Sequence, residues 1–166
     1  MSRVLKNGEN QITSPYGPRG SGFHSGIDIV KYKSQLDYIV AHSDGTVITA
    51  VDGLDNMPGS NSAGNQVKID HGDGWYTWYV HMKKGSVTVK KGDRVKRGQV
   101  IGYMGNSGDS SGAHLHFGVE YPKVNTRIDP TPYINADLGG KGVITIMGKI
   151  IEVDKLNAFI IANARD

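Results

Sequence analysis

The chain has 166 residues, 23 of them glycine, a formal net charge of +3 and no cysteine. That length suits one domain with a sizeable core, and without cysteine there is no disulfide framework and any zinc site must be built from His, Asp or Glu. The basic pairs are spread along the chain rather than clustered, no recognisable nucleic-acid motif accompanies them, and no apolar run approaches membrane-spanning length.

Short β-branched runs between Gly-, Pro- and Ser-rich turns predict an all-β chain. Residues 1–8 lack an apolar signal-type segment, and within the Gly-, Pro- and Ser-rich stretch 1–22, Ser14-Pro15-Tyr16-Gly17-Pro18-Arg19-Gly20 reads as a turn or loop. Phe23 to Val30 becomes an alternating strand, with Ile27 and Ile29 toward the core and Asp28 on the opposite face. His24 lies in the Gly-flanked entry, where the chain can fold back to bring it to Asp28. Tyr38–Ala41 and Thr46–Val51 are further strands. His42 precedes the turn between them and reads as structural or exposed. Residues 52–64 have no periodicity, which predicts a mobile surface loop able to border a groove.

Gln66–Asp70 and Trp75–Met82 predict a hairpin closed by His71-Gly72-Asp73-Gly74, with His71 in a hydrogen-bonding turn role. Alternation places Thr77, Tyr79 and His81 on one face of the second strand. Residues 91–102 form a compact turn, strand, turn and strand, and Gly105–Gly112 is a flexible polar loop. It feeds Gly112-Ala113-His114-Leu115-His116-Phe117-Gly118-Val119-Glu120. As a strand, this segment turns His114, His116, Gly118 and Glu120 one way and Leu115, Phe117 and Val119 the other. The compact part ends by residue 138. Residues 139–142 read as a linker, 143–153 as one more strand, and Leu156, Phe159, Ile160 and Ala164 fall at the spacing of a short C-terminal helix.

Three separated signals therefore coincide: His24 with Asp28, His81 at a strand end, and His114 with His116. Zinc-assisted hydrolysis needs three protein ligands and an open position, with further groups to move a proton and steady the oxyanion. Four histidines and one aspartate supply that complement.

The His-Ser-Gly-Ile-Asp run at 24–28, Tyr-Val-His at 79–81 and His-Leu-His-Phe at 114–117 resemble the zinc metallopeptidases of the LytM/lysostaphin type, the M23 peptidase family. The Gly-Asp-x-Val-x-x-Gly-Gln-x-Ile-Gly run at 92–102 shares the likeness, which spans roughly residues 15–133. The resemblance implies a twisted antiparallel β-sheet of duplicated hybrid motif type, with loops walling a narrow groove. It also implies one zinc ion held by His24, Asp28 and His116, with His81 and His114 as the catalytic pair. The substrate implied is a peptide of bacterial peptidoglycan, cut in its stem or its cross-bridge, outside the cell and reached by secretion or phage delivery. A catalytically silent wall-binding or regulatory module is the first rival. A phosphocarrier of the sugar phosphotransferase type is the second, although a carrier needs no His24/Asp28 pair. Nucleic acid and membrane are not expected partners, and the oligomeric state is open.

Overall fold

Alternating apolar and polar residues build one eight-stranded antiparallel sheet, and its register places the histidines. The computed structural model describes residues 4–7, 10–20, 22–31, 36–121, 126–134, 143–146 and 149–152. The strands are β1 (Asn10–Ser14), β2 (Gly17–Arg19), β3 (Gly22–His24), β4 (Ile27–Lys31), β5 (Tyr38–Val40), β6 (Gly45–Val51) and β7 (Asn65–Gly72). They are followed by β8 (Trp75–Met82), β9 (Arg94–Val95), β10 (Val100–Tyr103), β11 (Leu115–Tyr121) and β12 (Thr126–Ile128). The main sheet runs β1-β4-β11-β8-β7-β6-β9, with β12 also paired to β11. β2 pairs with β3 in a hairpin, and β5 with β10 in a second small sheet.

One face of the sheet makes the core. Ile27 and Ile29 of β4, Leu115, Phe117 and Val119 of β11, Thr77 and Tyr79 of β8, and Val67 and Ile69 of β7 are all buried on it. Each large apolar side chain taken from water contributes about 1.5–3 kcal/mol. A one-residue slip of β11 would exchange Leu115, Phe117 and Val119 for His114, His116 and Glu120, so burial fixes the register that shows the histidines to the other face. The β7–β8 hairpin closes through Asp73 and Gly74 at φ of 52° and 84°, the paired positive values that a two-residue turn matching strand twist demands.

His42 and His71 are structural. His42 is fully buried, with Nδ1 2.9 Å from Ser43 Oγ and Nε2 donating to the Tyr133 carbonyl at 2.9 Å. His71 reaches inward rather than serving the turn itself: Nδ1 donates to the Asp44 carbonyl at 2.8 Å, and Nε2 lies 2.7 Å from Thr77 Oγ1.

Where one strand is expected over 143–153, the chain forms two, β13 (Val143–Ile146) and β14 (Lys149–Glu152), paired antiparallel with each other. The helical spacing at 156–164 lies outside the described residues. Among those residues a 3-10 turn at Thr131–Tyr133 is present, and no helix is long and apolar enough to cross a membrane.

Candidate metal centre

Asp28 of β4 stands directly opposite His116 of β11. Opposed residues in a sheet share a face, so the cross-strand register alone joins a carboxylate to an imidazole. His24 closes β3 three residues before β4 begins, and the intervening Ser25-Gly26 reversal swings it over the same face. The result is a triangle of donor atoms. His24 Nε2, Asp28 Oδ1 and His116 Nδ1 lie 3.0 Å from one another along each edge. Tetrahedral zinc with bonds of about 2.0–2.1 Å spaces its nitrogen and oxygen ligands about 3.3 Å apart, so a triangle with 3.0 Å edges has the size and donor types for that ion.

The surroundings turn the lone pairs inward. Carbonyl oxygens only accept, so His24 Nδ1 donates to the Pro15 carbonyl at 2.7 Å and leaves Nε2 as the inward donor atom. Oδ2 of Asp28 accepts from Arg19 Nη2 at 2.7 Å, leaving Oδ1 for the triangle. Burial alone would push the Asp28 carboxyl up, but hydrogen bonds from His114, His116 and Arg19 outweigh it and hold the group far below the usual carboxylate range. Burial lowers the pKa of His116. Gly26 is glycine because of a close approach. A Cβ there would stand 2.6 Å from both His116 Nε2 and the Phe117 carbonyl oxygen.

His81 and His114 flank the triangle, with ring centroids 4.9 Å apart. His114 Nδ1 donates to the Gly112 carbonyl at 2.7 Å, and its Nε2 is 3.4 Å from Asp28 Oδ1. Burial opposes charge on His114, yet its bonds to Asp28 and Gly112 prevail and its pKa is raised. His81 arrives by a different route. Strand alternation would bury it beside Thr77 and Tyr79, but β8 carries a bulge at Val80 and His81, and His81 adopts φ of 63°. A left-handed residue within a bulge re-aims its side chain. The imidazole therefore leaves the core face, comes to 6.0 Å from the His116 ring and lines a groove with Trp78 and Val80. Its Nδ1 donates to the Ser107 carbonyl at 2.8 Å, which presents Nε2. Burial pulls its pKa down to about 4.

The groove, of about 290 Å³, runs between Ser25, Trp78 and Arg127 on one side and Asn61, Ser62 and Asp109 on the other. The 52–64 loop is not the freely moving segment that its lack of periodicity suggests. Asp109 accepts from the backbone of Gly59 at 2.7 Å and of Asn61 at 3.1 Å. Asn56 Nδ2 donates to the carbonyls of Asn106 at 2.7 Å and Ser110 at 2.9 Å. These bonds latch it to the 105–112 loop.

All five residues singled out from the sequence thus meet at one place. Arg19 and Arg127 were not among them. The pairing of Gly17 with His24 puts Arg19 and His24 on one face of the β2–β3 hairpin, a signal open to anyone pairing those strands.

Known proteins share this arrangement of chain. Residues 22–130 match the model of peptidase family M23. ALE-1, a glycyl-glycine endopeptidase of Staphylococcus capitis, is 36% identical over 134 residues, which is 79% of this chain and 34% of ALE-1. ShyA, a peptidoglycan DD-endopeptidase of Vibrio cholerae, is 46% identical over 72 residues, 43% of this chain and 16% of ShyA. The catalytic domain of the antimicrobial peptidase lysostaphin from Staphylococcus simulans superposes with a TM-score of 0.61 at 32% identity, covering 75% of this chain and 92% of that domain. The chain spans 34% or less of the length of these two curated relatives.

Proposed function

The chain belongs to peptidase family M23, and from that premise we propose that it is a zinc-dependent endopeptidase cutting peptide bonds of bacterial peptidoglycan, in the stem peptide or the cross-bridge. The observation that carries the reading is the 3.0 Å triangle of His24 Nε2, Asp28 Oδ1 and His116 Nδ1 with two further imidazoles beside it. The names of the relatives support the substrate, since one is a glycyl-glycine endopeptidase and another a peptidoglycan DD-endopeptidase.

In this reading His24, Asp28 and His116 hold the zinc ion. When bound, zinc supplies Lewis acidity, polarising the scissile carbonyl and making a water molecule acidic enough to attack near neutral pH. His81 and His114 handle protons. Each has Nδ1–H committed to a backbone carbonyl, Ser107 for one and Gly112 for the other, so each works through Nε2. One of the two takes up a proton from the attacking water, and the other steadies the oxyanion, a proton passing from the pair to the departing amine. Arg19 holds Asp28 from behind, and the groove receives an extended peptide. Such an enzyme works at the cell wall, outside the cell.

Mass spectrometry of fragments released from purified peptidoglycan, with and without a zinc chelator, tests this. Chelator-sensitive release of new peptide amines is expected. No release from several wall types, with zinc bound, would contradict it and favour a silent wall-binding or regulatory module.

A further inference from the structure

His81, one residue before the end of β8, holds its left-handed φ of 63° because the chain secures it on both sides and at its tip. Before it, its own N–H donates to the Ala63 carbonyl at 3.1 Å. After it, the Met82 carbonyl accepts twice, from Asn65 Nδ2 at 3.1 Å and from Ser107 Oγ at 2.7 Å. At the tip, Nδ1 donates to the Ser107 carbonyl at 2.8 Å. Asn65 stands directly opposite Met82 in the β7–β8 pairing, and its backbone N–H donates to Ser107 Oγ at 2.9 Å. The Ser107 hydroxyl therefore bridges Asn65 to Met82, while the carbonyl of the same residue takes the imidazole.

Asn65 is fully buried, and its carboxamide is engaged at both ends. Oδ1 accepts from the Leu54 N–H at 2.8 Å, and the two Nδ2 protons go to the carbonyls of Leu54, at 2.9 Å, and Met82. The Leu54 N–H fixes which way the amide points, since only the oxygen can accept it. A strained backbone persists only where its surroundings over-determine it. Freed from these bonds, residue 81 would relax to ordinary strand geometry, and alternation would return its side chain to the core face beside Tyr79. We propose that Asn65 is a positioning residue for the reaction: through the Met82 carbonyl and the Ser107 hydroxyl it keeps His81 left-handed and its Nε2 aimed into the groove. The inference rests on the endopeptidase reading and adds to it a fully buried side chain that substrate does not reach. Asn65 also anchors Leu54 in the 52–64 loop, so a loop-holding role has to be told apart. Asp109 binds that loop through Gly59 and Asn61, which makes D109A the control.

The test compares the zinc-loaded wild type with N65D, N65A, S107A and D109A. Aspartate keeps the shape of asparagine, but its carboxylate donates nothing to the Met82 carbonyl; S107A removes the hydroxyl bridge and leaves the Ser107 carbonyl in place. Nitrogen NMR of the His81 ring is expected to show a single tautomer in the wild type, protonated at Nδ1, and a mixture of tautomers in the Asn65 variants and S107A. With peptidoglycan fragments as substrate, kcat in the Asn65 variants should fall about a hundredfold, the scale of a misplacement of about 1 Å, while KM changes less than about twofold. D109A should do the reverse, raising KM and leaving the His81 tautomer as in the wild type. An unchanged tautomer or an unchanged kcat in the Asn65 variants overturns the proposal, and a rise in KM alone marks Asn65 as a loop anchor. N65A carries no buried charge and decides if N65D does not fold; S107A, which cuts the same link from its other side, decides if neither folds. If the wild type cuts no peptidoglycan, the endopeptidase reading fails, and the tautomer alone decides whether Asn65 places the His81 ring: a mixture in its variants supports the placement, and a single Nδ1–H form overturns it.

Discussion

His81 shows in one residue how the site is made at the expense of the strand that bears it. Its φ of 63° costs a side-chain-bearing residue about 1–2 kcal/mol, a cost glycine escapes. At an ordinary strand position alanine is more stable than glycine by about 0.5–1 kcal/mol. Here the order inverts: H81G should be more stable in urea than H81A by about 1 kcal/mol, while both lose turnover because neither has the imidazole. Alanine equal to or better than glycine would mean that the backbone at this position is unstrained.

At the scale of elements, the candidate metal centre is a product of strand register, and the groove is a product of two latched loops. Asp109 joins the loops with two backbone N–H groups, each a charge-assisted bond. D109A should destabilise the fold by about 1–3 kcal/mol and raise KM for peptide substrates more than it lowers kcat, with zinc content unchanged. Urea unfolding and steady-state kinetics measure both, and an unchanged KM would mean that the 52–64 loop does not touch substrate. These latches mark the limit of sequence reading. The strands from β4 through β11 and the faces of Asp28, His114 and His116 follow from a period of two, which burial of Ile27, Ile29, Leu115 and Phe117 enforces. Bonds from Asp109 and Asn56 to distant backbone have no period, so a fixed loop looks like a free one. The aim of His81 was hidden for a related reason. Its presence at the site was legible from its place in the chain, but a bulge breaks the alternation that would have put it in the core. The face of Arg127 depends on the pairing of β12 with β11, which no local pattern in the sequence encodes.

For the molecule as a whole, three histidines whose pKa burial lowers set the response to acid. Burial lowers the pKa of His71, His81 and His116, to about 4 for His81. The fold favours their neutral form, and on unfolding they return to ordinary values near 6.5 and bind protons more readily. Stability of the metal-free protein is therefore full above pH 6.5 and declines as pH falls toward about 4, partly countered by His114, whose raised pKa acts in the opposite sense. Thermal unfolding of chelator-treated protein should show a lower midpoint at pH 5 than at pH 7.5. An equal or higher midpoint would mean that these imidazoles titrate freely in the fold. The division of labour across the site is tested most directly by zinc content measured together with turnover in wild type, H116A and H114A. The account predicts bound zinc and activity in the wild type, loss of both in H116A, and zinc retained without turnover in H114A. Zinc retained in H116A, or near-normal turnover in H114A, would contradict it.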